Sequence, residues 1–157
     1  MAADDNGSGI DMTDAPPLIV KAQFIKDFSF EMPNAPAIFG RLSAEPEIEV
    51  RIDVHPEELE GDDYLVVLNI EARATVEDET AFVAELEYAG LFELNSSIPE
   101  EYIGSIQLVE CPRILFPYAR NIIASATQES GMPPLMLQPI DFNAIVQAQL
   151  VQGAGTA

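Results

Sequence analysis

Ile48-Glu49-Val50-Arg51-Ile52-Asp53-Val54 decides the fold class. Apolar and charged side chains alternate at every position. Successive side chains of an extended chain point to opposite faces, so this period of two describes a strand buried on one face and wet on the other. Parallel sheets are covered on both sides and read as unbroken apolar runs, so the alternation predicts an antiparallel sheet. The pattern recurs on either side of this stretch. Upstream, Phe24, Phe28, Phe30 and Met32 are predicted on one face of an extended segment, with Asp27, Ser29 and Glu31 on the other. Downstream, a third strand from about Tyr64 to Thr75 turns Tyr64, Val66, Leu68, Ile70 and Ala72 inward. After a polar turn at Glu77-Asp78-Glu79, a fourth strand directs Phe82, Ala84, Leu86, Tyr88 and Phe92 inward and Val83, Glu85, Glu87 and Glu93 outward. His55-Pro56 is expected to end the second strand, and the short connections predict a meander.

The second half follows a helical period. Ser97-Ile98-Pro99-Glu100 has capping-box spacing with an early proline, opening a helix that carries Tyr102, Ile103, Ile106 and Val109. Pro112 is expected to restart a longer helix, kinked at Pro117 and stopped at Gly131 before Pro133-Pro134. On a helical wheel Ile114, Leu115, Phe116, Tyr118, Ala119, Ile122, Ile123 and Ala126 span roughly 200°, whereas packing on one sheet takes a stripe of about 100° or somewhat more. The excess predicts a second contact surface, another subunit. Asp141 is predicted to cap a last helix with Phe142, Ile145, Val146 and Gln149 on one face. The fold class is therefore α+β, a four-stranded antiparallel sheet covered by helices. One domain is expected over 18–152, between a flexible acidic tail (1–17) and a second flexible tail (153–157).

Of 157 residues, 48% are hydrophobic, more than a disordered acidic chain carries. Acidic residues number 27 against 7 basic ones, for a net charge of −20. Lys and Arg clusters that neutralise phosphate are missing, which argues against nucleic acid and anionic membrane as partners. The same field keeps a sticky protein soluble and draws in cationic polypeptide. The single cysteine, Cys111, fits a reducing compartment. No basic-then-apolar leader is visible, and no apolar run approaches the ~20 residues of a membrane span. A cytoplasmic location without membrane insertion is expected.

Catalytic signals are weak. No phosphate-cradling glycine loop, zinc-ligand pair or calcium loop stands in the sequence. His55 has no recognisable nucleophile and orienting carboxylate, and reads as a surface histidine. Cys111 reads as a small buried hydrophobe. Asp62-Asp63 and Glu77-Asp78-Glu79 fall in predicted turns without ligand spacing, so solvated loops are expected rather than a metal site. No catalytic residue, metal or cofactor is assigned. The unusual feature is apolar loops: residues 34–40 carry Pro36, Ile38 and Phe39, and residues 132–137 carry Met132, Leu135, Met136 and Leu137. Loops sit at the surface, so these side chains either fold back as lids on their own domain or line a groove. Methionine-rich and aromatic walls adapt to many ligand shapes.

At this point the chain resembles a known family. Residues 26–36, KDFSFEMPNAP, resemble the amino-terminal signature of the SecB protein-export chaperones. Glu79-Thr80-Ala81-Phe82 opens the matching fourth strand, residues 111–120 (CPRILFPYAR) resemble the central helix motif, and residues 133–142 (PPLMLQPIDF) continue the match in order. The similarity covers nearly everything from Phe24 to Leu150, with Ala89-Gly90 where the family often has two glycines. It implies an ATP-independent holding chaperone, a homotetramer built as a dimer of dimers, which binds unfolded precursor polypeptides and delivers them to the SecA motor ATPase. By motif position, the SecA-binding residues are Asp27, Glu31, Val83 and Glu85. The client groove falls on Pro36, Ile38, Phe39, Phe116, Tyr118, Phe142 and Val146, and subunit contacts on Ile122 and Ile123. A SecB-like chaperone dedicated to a single protein partner has the same composition and stays open, as does, more distantly, an enzyme using His55, Cys111 or an acidic turn.

Overall fold

The period-two segments become strands β1 (Leu18–Glu31), β2 (Glu47–Glu58), β3 (Asp63–Val76) and β4 (Glu79–Leu94) in a computed structural model that describes residues 17–154. All neighbours are antiparallel, in the order β1-β4-β3-β2. The expected meander holds only for β2, β3 and β4. The connection over residues 32–46 crosses the sheet and lays β1 beside β4, giving a Greek-key order. Both β1 and β2 are consequently edge strands. That explains a second correction: β2 runs through His55-Pro56 to Glu58, with Pro56 opposite Val66. An edge strand tolerates proline because the missing N–H faces solvent instead of a ladder partner. Two residues with positive φ, Glu77 at 49° and Asp78 at 66°, close the β3–β4 hairpin, the twist that a two-residue turn requires.

β1 departs from the expected face assignment. Ile25 lies opposite Tyr88 and Asp27 opposite Glu87, so Lys26 is an inserted bulge residue. Beyond the bulge, Phe28 and Phe30 face inward with Leu86 and Ala84, as predicted. Before it the parity is reversed: Ile25 shares the inner side with Tyr88, and Phe24 pairs with Ala89 on the outer side. The extra residue flips the side chains from Ala22 to Ile25, and a second shift at Lys21 restores the parity, so Val20 pairs with Phe92 on the inner side.

The helices begin with α1 (Glu100–Ser105), pass through one π-helical turn (Ile106–Glu110) and continue as α2 (Cys111–Glu129). Pro112 therefore does not restart a separate helix. The Cys111 N–H donates five residues back to Ile106 O, and this wider turn absorbs the bond that the proline nitrogen cannot make. α2 runs on through Pro117. The capping box does not form: Pro99 occupies the cap position, and Asn95 Oδ1 accepts instead from Ser97 N at 2.9 Å and Ser97 Oγ at 2.8 Å. The far end matches expectation, with Gly131 at φ 88°, Gly131 N donating to Gln128 O and Met132 N to Thr127 O, a Schellman closure. α3 (Phe142–Ala154) starts at its predicted cap, Ala144 N donating to Asp141 Oδ1 at 3.2 Å. The tails expected at 1–17 and 153–157 lie outside the described residues except for three positions. Pro17 O accepts from Asn95 N, and Gly153 and Ala154 continue α3.

The core lies between α2 and the two central strands. Val66, Leu68, Ile70, Leu86 and Phe92 meet Leu115, Ala119 and Ile123, all fully buried. Gly90 makes the close approach possible: a Cβ there would stand 2.5 Å from Phe92 Cε2 and 2.9 Å from Leu115 Cδ2.

Candidate functional site

The inner face of the sheet is wider than the helix layer that covers it. α2 packs on β3 and β4; inward side chains such as Phe28, Phe30, Ile52 and Val54 still join the core, but part of each edge strand projects past the helix. Ile25 on β1 remains 50% exposed, and Ile48 and Val50 on β2 remain 42% exposed each. These three were legible as apolar positions of strands, but their exposure depends on strand order, which the pattern does not contain.

The seven groove residues fall in three places. Pro36, Ile38 and Phe39 belong to the crossover segment. Ile38 is completely buried, Phe39 is exposed, and the Phe39 ring lies against Gly131 at the end of α2. Asn34 Nδ2 donates to Thr80 O at 2.9 Å and Arg41 pairs with Glu79 at 2.9 Å, fastening this segment to the start of β4. Phe116 and Phe142 come together edge to face, ring centroids 6.1 Å apart, beneath a cleft of ≈ 330 Å³ between α2 and the run into α3. Val146 sits one turn beyond Phe142, half-buried. Tyr118 points elsewhere, 55% exposed and stacked on Tyr88 at 6.3 Å. Burial, with Tyr118 close by, raises the pKa of the Tyr88 hydroxyl.

Sequence reasoning passed over the other walls of the cleft, Arg113, Pro117, Arg120, Pro139 and Ile140. Arg120 is held in place by its Nε, which donates to Leu137 O at 2.6 Å. Two arginines in a motif of a strongly anionic chain were the available signal. Of the two subunit-contact positions, Ile123 is spent on its own sheet, completely buried, while Ile122 keeps part of its surface.

The outer face has the opposite chemistry. Asp27 lies opposite Glu87, Ser29 opposite Glu85, and Glu31 opposite Val83. Asp27, Glu71, Glu85 and Glu87, with Asn69, line one shallow depression of ≈ 220 Å³. All four SecA-position residues thus share one face. Cys111 is nearly inaccessible, and burial above all, then the Glu110 carboxylate, pushes its thiol up to about 12, far from a nucleophile's range. No helix among the described residues is long and apolar enough to cross a membrane.

The antiparallel sheet thus presents one apolar, incompletely covered face and one carboxylate-lined face. Comparison with known proteins names the group. The chain belongs to the SecB family, whose profile, "Preprotein translocase subunit SecB", matches residues 11–153. It is similar to the protein-export protein SecB of Granulibacter bethesdensis, 50% identical over 87% of this chain and 84% of that one. It is similar also to that of Azorhizobium caulinodans, 44% identical over 99% of each. Among solved structures it matches the SecB-like chaperone of Mycobacterium tuberculosis, in complex with a ChAD peptide from an antitoxin, with a TM-score of 0.68 at 15% identity, covering 80% of this chain and 91% of that one. The fold is thus SecB-like, and the family is one of protein-export chaperones.

Proposed function

We propose that the chain holds unfolded precursor polypeptides in the cytoplasm without ATP, binding rather than catalysing, and hands them to the SecA motor ATPase as a homotetramer, a dimer of dimers, each subunit a single domain over 18–152. The observation that carries the holding role is the mismatch between sheet and helix layer, which leaves Ile25, Ile48 and Val50 open inside a particle of net charge −20. Fixing each residue of a client costs about 1–2 kcal/mol, while one large apolar side chain returns about 1.5–3 kcal/mol on burial. Separate apolar margins and a cleft capture anchors while the chain between them stays mobile, and several such surfaces on one oligomer raise the effective concentration of the next segment. The groove comprises the crossover residues Pro36, Ile38 and Phe39, the Phe116–Phe142 cleft with Val146, and Tyr118. Ile38 becomes available only when the crossover segment lifts. Ile122 contributes the subunit contact, and Ile123, buried against its own sheet, does not. Asp27, Glu31, Val83 and Glu85 receive the motor, whose cationic segment meets complementary charge.

Light scattering with and without a reduced, slow-folding protein tests this reading. A tetramer mass and suppression of the client's aggregation at near-stoichiometric ratio are expected. A monomeric particle that leaves the aggregation trace unchanged would reject it. Binding of chemically unrelated unfolded chains in mutual competition separates general holding from service to one dedicated partner. The general reading is favoured by the export-protein relatives at 44–50% identity.

A further inference from the structure

The bulge at Lys26 places an aromatic side chain on the carboxylate face. Upstream of it, Phe24 pairs with Ala89, which pairs with Val67. One ladder step further, Ala22 pairs with Leu91, which pairs with Leu65. Along β4 the outward row therefore reads Val83, Glu85, Glu87, Ala89, Leu91, Glu93, with the apolar pair Ala89 and Leu91 following two carboxylates. Ala89 and Val67 are buried, at 0% and 6% exposure, and Phe24, beside Ala89 on the same face, is 40% exposed. α2 lies on the opposite side of the sheet, so it does not cover this strip.

We infer that this outer face is a composite docking surface, in which Phe24, with Leu91 and Leu65 beside it, takes an apolar side chain of the same cationic polypeptide segment whose basic residues meet Asp27, Glu85 and Glu87. The inference rests on the acidic-face assignment above and extends it to residues outside the motif positions. Three observations select the occupant. At the far end of the strip, Lys21 already pairs with Asp63 at 2.8 Å and Glu93 at 3.6 Å, so a cation of the chain itself offsets part of the charge there. Among the described residues, Asp27, Glu85 and Glu87 enter no such pair. The carboxylates adjoining Phe24 thus stay open to a basic segment. A second copy of this chain docked face to face would set carboxylates against carboxylates, which disfavours self-association there. Successive outward positions of a strand lie about 7 Å apart, so an extended segment with a leucine-sized residue two or four positions from a pair of basic residues spans both halves.

The test uses a short peptide rich in lysine and arginine with a single leucine, and a twin with alanine in its place, titrated by fluorescence anisotropy against the full chain. The leucine peptide is expected to bind roughly tenfold tighter than its twin. Phe24→Thr should cut that advantage to about twofold or less while leaving the salt dependence unchanged. Glu87→Gln should weaken both peptides alike and flatten the salt dependence. In the unsubstituted chain, nuclear Overhauser contacts from the leucine methyls to the Phe24 ring are expected, a readout that does not depend on a variant folding. A leucine advantage that survives Phe24→Thr, or methyls that contact no Phe24 proton, overturns the composite surface. If peptide binding then still falls with Glu85→Lys, the acidic-face assignment stands without it; if Glu85→Lys also changes nothing, both fail.

Discussion

Replacing Ile48 and Val50 together by threonine should weaken client binding without unfolding the chain. Threonine is β-branched and close in shape to valine, so the edge strand keeps its conformational preference while its inward side loses methyl surface. Fully burying such a side chain is worth about 1.5–3 kcal/mol. Each residue has 42% of its surface open, which leaves about 0.6–1.3 kcal/mol per side chain for a client to gain by covering it. A mobile client covers the pair incompletely and loses freedom in doing so, so about 1–2 kcal/mol for both is a sensible total, roughly five- to thirtyfold in Kd. The assay is anisotropy of a labelled, reduced and unfolded client titrated with parent and double variant, alongside thermal unfolding of each. A double variant that unfolds cooperatively and still binds the client within about twofold of the parent would refute the claim that the uncovered margin of the sheet holds clients.

Three further outcomes are expected. Glu85→Lys should weaken binding of the SecA motor at least about tenfold by reversing a charge in an acidic interface, with client holding intact; unchanged motor affinity in calorimetry rejects the assignment of that face. Gly90→Ala should destabilise the chain by about 1–3 kcal/mol, because its Cβ would overlap Phe92 and Leu115 at 2.5 and 2.9 Å; a denaturation midpoint equal to the parent's means α2 does not lie where described. Cys111, raised by burial from 9.0 to about 12, holds its proton more tightly folded than unfolded, so its contribution to stability is complete below pH 9 and is lost as pH rises toward 12. At pH 8 a thiol reagent should label it only as fast as the chain opens, and rapid stoichiometric labelling of folded protein would contradict that burial.

Face assignments in β2, β3 and β4 were legible because period two is a local property: Leu68, Ile70, Leu86 and Phe92 could be sent inward from sequence alone, and Glu85 and Glu87 outward. Strand order was not legible, since alternation states which face a residue takes and says nothing of which strand lies beside it. Two errors came from that gap. Whether His55-Pro56 ends a strand depends on edge position, a tertiary fact, and so does the exposure of Ile48 and Val50. The bulge at Lys26 escaped for another reason: an extra residue in KAQFIKDF leaves no compositional mark, and only the register against Tyr88 and Glu87 reveals it. On α2 the breadth of the apolar arc was plain, but not its centre. Ile122 and Ile123 looked equivalent until the sheet claimed the second.

The division of labour within one sheet follows from the same alternation. Neighbouring residues of β4, such as Glu85 and Leu86, are separated by the thickness of the backbone yet face a charged and an apolar environment. On the proposed function, a client on the inner margins leaves the outer carboxylates untouched, so client and motor would be bound together by a subunit of only 157 residues. On the same proposal, transfer would follow when the motor on the outer face competes for the apolar anchors at the margins, where coverage by α2 ends and each anchor contributes little enough to be released one at a time.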